Sequence, residues 1–340
     1  MGLKKQIVNI ISKDYYFREP SERSILLDDL EKADEASMEE IIRKFDDNHT
    51  HLFTSKYKVN DCLLWLLGTP YFHLKKDSFE YIKRIETIDG KKFDDIILNY
   101  RKKYPNTSQV NLEKYLSQDF FCSSSRITFG KSYSFNSENI TDHVNRSELV
   151  DGLSIRNNRS SIVIKIFHFN NKNLISKLIS LLSQIESGKI IILDLRNCWG
   201  GGILTAVKVS ELFLSKSVEL PYEITSKEGT FKRVVEGESK IERKRLLILV
   251  GKQTLSAAEF VLFQSLKSEG KCTSYGERTG GHSGQARIIN LDEHDTFSYT
   301  VRRYIQDGQE ITKGLEPDVG FSPKLSDMID QKDVLLETLV

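Results

Sequence analysis

Two uninterrupted apolar runs constrain this chain more than any other feature. Lys189-Ile190-Ile191-Ile192-Leu193-Asp194-Leu195 and Leu246-Leu247-Ile248-Leu249-Val250 show almost no polar alternation, so each reads as a strand covered on both faces. Ile162-Val163-Ile164-Lys165-Ile166 is a third strand of this kind. Between Ile162–Ile166 and Lys189–Leu195, Leu174, Ile175, Leu178, Ile179, Leu182 and Ile185 form a helical stripe that ends at Gly188, a natural C′ position. A helix through Leu214 follows Lys189–Leu195, a helix beginning at Ser256 follows Leu246–Val250, and a further strand leads into Thr279-Gly280-Gly281-His282. This order of strands and helices is that of right-handed βαβ units and predicts an α/β core over residues 156–340.

In open α/β sheets ligands bind beyond the carboxyl ends of the strands. Gly200-Gly201-Gly202 and Ser256 both fall there, far apart in sequence but expected side by side. The triglycine lacks the lysine of a phosphate loop and the spacing of a dinucleotide fingerprint. Its backbone N–H groups could approach a substrate closely, or the turn could simply pack tightly. Ser256 has two readings as well. Ser256-Ala257-Ala258-Glu259 has the form of a capping box, so the serine either caps its helix or is a nucleophile at the helix N-terminus.

The remainder of the chain is less regular. Residues 1–58 read as an N-terminal helical region, with Ser37-Met38-Glu39-Glu40 as a capping box and Ile41, Ile42 and Phe45 as the buried stripe. That helix stops at Asp46-Asp47-Asn48-His49-Thr50-His51, whose plain reading is a solvated loop. No HExxH pair or matching downstream set accompanies these histidines, so no metal is expected. Residues 59–155 read as a small α+β region, with a strand over 81–88, a turn at Asp89-Gly90 and a helix over 93–100.

Charge excludes some partners. Lys plus Arg total 49 against 48 Asp plus Glu, so no net field draws the chain to nucleic acid. No run of 18 apolar residues predicts a membrane span. Cys62, Cys122, Cys198 and Cys272 show no CxxC pairing, and the N-terminus makes a poor signal peptide, so a reducing, cytoplasmic setting is expected.

Four motifs occur in order: Asp194-Leu195-Arg196-Asn197-x-x-Gly200-Gly201, Thr254-Leu255-Ser256-Ala257-Ala258-Glu259, Gly276-Glu277-Arg278-Thr279-x-Gly281 and Gly314-Leu315-Glu316-Pro317-Asp318-Val319. Together they resemble the C-terminal processing (tail-specific) serine peptidases, whose core is a crotonase/ClpP-like α/β fold. Asp46-Asp47-Asn48-His49-Thr50 is similar to a signature of the tricorn-like branch, which includes the interphotoreceptor retinoid-binding modules. The resemblance implies Ser256 as nucleophile, with the Ala257 N–H and an N–H of the Trp199-Gly200-Gly201 turn as oxyanion donors. The tail-specific branch places a lysine base where this chain has His282, so a Ser–Lys dyad is absent. The tricorn-like branch implies His49 as base and an acidic partner near Glu310. A Ser256–His282–Gln285 arrangement is the second option. Residues 85–97 resemble a short PDZ-like or substrate-binding element, without a clear carboxylate-binding loop. The expected function is therefore hydrolysis of a protein or peptide substrate through an acyl-enzyme, without cofactor. A non-catalytic binding protein on the same scaffold and an esterase-like acyl hydrolase are the alternatives, and a homo-oligomer is left open.

Overall fold

The computed structural model describes residues 2–34, 37–53, 71–76, 79–84, 87–105, 112, 115, 126–129, 133–136, 152–186, 188–237, 246–293, 295–322 and 333–340. The chain opens with helices α1 (Leu3–Asp14), α2 (Pro20–Lys32) and α3 (Met38–Arg43), followed by strand β1 (His51–Phe53). The middle region contributes a hairpin of β2 (Tyr71–Lys76) and β3 (Phe79–Arg84). A separate small sheet is built from β4 (Thr87–Ile88), β5 (Lys91–Lys92), β6 (Arg126–Phe129) and β7 (Tyr133–Asn136), and helix α4 (Phe93–Lys103) follows β5. The predicted strand over 81–88 is thus divided between β3 and β4, which lie in different sheets. Most of the serine- and asparagine-rich run from 123 to 159, and part of the PDZ-like stretch at 85–97, lie outside the described residues.

The α/β core follows. β8 (Leu153–Asn157), β9 (Ser161–Ile166), β10 (Ile190–Asp194), β13 (Leu246–Val250), β14 (Cys272–Gly276) and β18 (Val319–Gly320) form one sheet in the order β18-β14-β13-β10-β9-β8. All neighbours are parallel except β8, which runs antiparallel to β9. β8 starts before residue 156, so the core sheet takes in residues from 153 onward. Helices α5 (Leu174–Leu182) and α6 (Ile203–Phe213) supply the crossovers. α5 ends at Leu182, short of Gly188, and leaves Ile179 half exposed, so the predicted stripe is one turn too long. The expected double coverage of the apolar strands is present. Leu193 and Ile248 face one apolar cluster, while Ile192, Leu247 and Leu249 face another closed by Leu335 and Leu336 of α8 (Val334–Leu339).

A second, largely antiparallel sheet is organised on β16 (Thr296–Gln306). It joins β1, β15 (Gln285–Asn290) and β17 (Gln309–Glu310) to β11 (Val218–Ser226) and β12 (Gly229–Val235). This sheet brings the N-terminal region to the core. His51 pairs with Ser298 in the β1–β16 register, and Ile7, Ile11, Tyr15, Ile42 and Phe45 share an apolar cluster with Phe297 and Tyr299. The expected capping box of α3 does not form. Ser37 turns its hydroxyl back to Asp34, and Glu40 pairs instead with Lys103 on α4, which holds its carboxyl below the usual range.

Candidate active site

β10, β13 and β14 are adjacent parallel strands, so the three turns that leave their carboxyl ends must meet. The turn after β13 is built by Thr254. Its Oγ1 accepts from Gly251 N–H at 2.9 Å and donates to Leu195 O at 2.8 Å, fastening this turn to the one after β10. Leu255 N–H donates to Cys198 O at 2.9 Å. Ser256 then takes φ +54°, the left-handed region that a β-carbon makes costly. An N-cap needs an extended backbone and a side-chain acceptor. Ser256 is left-handed instead, and among the described residues no helix amide donates to its hydroxyl. The Ser256 carbonyl nevertheless accepts from Phe260 N–H at 2.8 Å and Glu259 N–H at 3.1 Å, so the helix starts from this residue as expected. Only the reverse half of the capping box exists, with Ser256 N–H donating to Glu259 Oε2 at 3.1 Å. The first part of helix α7 (Ala258–Phe263) is wound as a π-helix before α-helical turns resume at Gln264–Glu269.

The glycine turn after β10 packs directly on this serine. A β-carbon on Gly200, at φ +89°, would lie 2.7 Å from Leu255 O, 2.9 Å from Ser256 Cβ and 3.0 Å from Ala257 N. Gly201, at φ +119°, is pressed equally hard against Asn170 Oδ1. Trp199 N–H is bonded to Phe167 O at 3.1 Å. Among the described residues the Gly201 and Ala257 N–H groups have no such partner. An anionic oxygen held beside Ser256 would find its donors among these backbone amides.

The third turn and the N-terminal loop bring in the histidines. β16 holds both, since β1 follows the Asp46–His51 stretch and β15 follows Gly284. The imidazoles of His49 and His282 meet edge to face, with ring centroids 4.4 Å apart at 80°. His49 Nε2 lies 3.0 Å from Ser283 O. A carbonyl oxygen only accepts, so Nε2 carries the proton of the neutral ring and Nδ1 is its basic nitrogen. The solvated loop expected for this stretch is not found, because Asp47, Asn48, His49, Thr50 and His51 are all buried. Asp47 makes that burial tolerable. Its carboxylate accepts from Tyr15 Oη (2.8 Å), His49 N (2.8 Å), Thr50 N (2.8 Å), Thr50 Oγ1 (2.7 Å) and Thr300 Oγ1 (2.6 Å).

The remaining expected residues separate from this centre to different degrees. The Gln285 amide donates to Tyr304 Oη at 3.0 Å and accepts from Arg302 Nη1 at 3.1 Å, so these bonds run away from His282 rather than to it. Glu310 pairs with Arg303 at 3.3 Å. Burial holds its carboxyl above the ordinary range, with Arg303 opposing and Asp47 adding to the rise. Sequence reasoning missed two groups. Glu259 registered only as a capping-box partner, yet it is fully buried and accepts from Thr279 Oγ1, Gly281 N, His282 N and Ser256 N. His168, stacked on Trp199 with centroids 5.3 Å apart, carried no local signal because the pairing depends on β9 and β10 being neighbours. The Gly314–Val319 motif acts on the same turn. Thr279 N–H donates to Leu315 O, and Leu315 N–H donates to Thr279 Oγ1.

Comparison with known proteins agrees with this geometry. Residues 161–321 match the model of peptidase family S41. A "Probable CtpA-like serine protease" of Staphylococcus epidermidis is 30% identical over 135 residues, 39% of this chain and 27% of that protein. The "Carboxyl-terminal-processing peptidase 3, chloroplastic" of Arabidopsis thaliana is 30% identical over 142 residues, 41% of this chain and 27% of that protein. The chain thus spans about a quarter of the length of these curated relatives. Among solved structures, the photosystem II D1 C-terminal processing protease aligns over 95% of this chain and 93% of its own, with TM-score 0.53 and 17% identity. Mature CPAF complexed with lactacystin aligns over 99% and 96%, with TM-score 0.63 and 10% identity. These likenesses share the α/β fold. The family match includes Gly200, Ser256 and His282, while His49 precedes it. Residues 161–321, just under half of this chain, are thus similar to peptidase family S41.

Proposed function

We propose that the chain is a serine-type peptidase acting on a protein or peptide substrate through an acyl-enzyme on Ser256. The observation that carries this reading is the left-handed Ser256 packed against Gly200, with the Ala257 amide beside it. Ser256 Oγ attacks the peptide carbonyl, and His49 Nδ1 takes the hydroxyl proton. The Ala257 amide receives the carbonyl oxygen as it becomes anionic. The C–N bond then breaks as His49 delivers the proton to the leaving amine, and water hydrolyses the acyl-enzyme by the same path. Glu310 is kept as the acidic group of the site, acting at one remove. His282 packs on the base as its neighbour.

The test is turnover of peptide and ester substrates, together with labelling by a fluorophosphonate, in wild type, Ser256→Ala, His49→Ala and His282→Ala. Ser256→Ala is expected to abolish turnover and labelling, and His49→Ala to lower kcat by about 10²–10⁴-fold. Full turnover in Ser256→Ala overturns the nucleophile. Collapse in His282→Ala with normal rates in His49→Ala reverses the choice of base. A wild type that neither turns over nor labels is a binding protein on this scaffold.

A further inference from the structure

We propose that Glu259 is the positioning residue of this site. Its carboxylate sets the spacing between the turn that presents Ser256 and the turn that carries His282 and backs His49. The inference rests on the peptidase reading for its kinetic consequences, but its geometry is independent of that reading.

Each oxygen of Glu259 accepts two hydrogen bonds. Oε2 accepts from Ser256 N at 3.1 Å and from His282 N at 3.0 Å, so a single atom bridges the nucleophile's backbone to the histidine turn. Oε1 accepts from Gly281 N and Thr279 Oγ1, both at 2.9 Å. One residue further on, Ser283 O meets His49 Nε2 at 3.0 Å. A continuous path thus leads from Ser256 N–H through one carboxylate to the base, and it crosses between two elements that no strand pairing joins at this point. In all four bonds the Glu259 carboxyl is the acceptor. The π-wound start of α7 places that group, because Glu259 sits in its first turn. A helix needing only a cap would not need a carboxylate 0% exposed and bonded to a turn about twenty residues later.

Reactive groups held in place act mainly on the chemical step, since small misplacements are costly there. Glu259→Leu is therefore expected to lower kcat at least 100-fold with KM changed less than threefold. Glu259→Gln can turn its carbonyl toward Ser256 and His282 and its NH₂ toward Thr279, and it is expected to recover at least tenfold of that loss. A purely structural role predicts instead that both variants lose active fraction, with kcat per labelled serine unchanged. The experiment measures kcat and KM normalised to fluorophosphonate-titrated sites, alongside amide hydrogen exchange by mass spectrometry. Exchange is expected to rise together at peptides covering 255–258 and 280–283 in Glu259→Leu, and not in those covering β9 and β10. Unchanged exchange at either turn overturns the proposal, as does unchanged kcat per site. If wild type proves catalytically inert, the peptidase reading fails and the exchange result alone decides the role of Glu259.

Discussion

At the scale of single residues, the serine was visible and its strain was not. Ser256 stood out because it follows an apolar strand and opens a helical pattern, but the same four letters also spell a capping box. The backbone conformation of Ser256 could not be read from those letters, because φ is not written in local composition. With a β-carbon at φ +54°, Ser256 stores about 1–2 kcal/mol of conformational strain. Glycine relieves that strain while its extra chain entropy returns about 0.5–1 kcal/mol. Ser256→Gly is accordingly expected to be as stable as wild type or up to about 1 kcal/mol more stable, and wholly inactive. Urea unfolding of the wild type, Ser256→Gly and Ser256→Ala measures this. A glycine variant less stable than the alanine variant would show that the turn is not strained at this position.

At the scale of elements, the parallel strands were legible because burial on both faces leaves an unbroken apolar run, and β13 falls on the run that predicted it. The meeting of the Gly200 and Ser256 turns followed from strand adjacency. Capping was less legible. Ser37-x-x-Glu40 and Ser256-x-x-Glu259 share one pattern, yet Glu40 pairs with Lys103 and Glu259 clamps a distant turn, because tertiary partners outbid local ones. The Glu259 carboxyl has a pH signature. Burial pushes it up to about 8 from 4.5, against the pull of its four donors. Between these values the folded protein holds a proton that the unfolded chain has released. Stability is therefore lost as pH rises from 4.5 towards 8, and is level in this respect above it. Relative to Glu259→Gln, wild type is expected to lose up to about 1.4 kcal/mol per pH unit across that window. Denaturation of both proteins at pH 5.5, 7 and 8.5 reads the slope. A slope of opposite sign would mean that the donors outweigh burial.

At the scale of the molecule, residues 1–58 looked like a separate helical region, and the described part of it, 2–34 and 37–53, packs on β16 of the second sheet. Nothing local announces that β1 pairs with β16 some 250 residues later, because long-range register leaves no period in the sequence. The same pairing explains why a run as polar as Asp46–His51 is buried: its partners are Thr300, Ser298 and Tyr15, contributed from both ends of the chain. Tyr15 is the most direct link between α1 and the histidine loop, with its ring against Phe45 and its hydroxyl on Asp47. Burial and the Asp47 charge raise the phenol well above its usual range, so it is protonated and a donor at neutral pH. Tyr15→Phe keeps the ring and removes the donor from a charged acceptor, which is expected to cost about 1.5–3 kcal/mol. Four other donors remain on Asp47, so the loop should loosen rather than unfold. Turnover is then expected to fall several-fold through kcat, with Ser256 labelling slowed in proportion. Urea unfolding and labelling rates measured on one preparation test the link. A destabilised Tyr15→Phe that labels at the wild-type rate would show that the N-terminal helices support the fold without supporting the base.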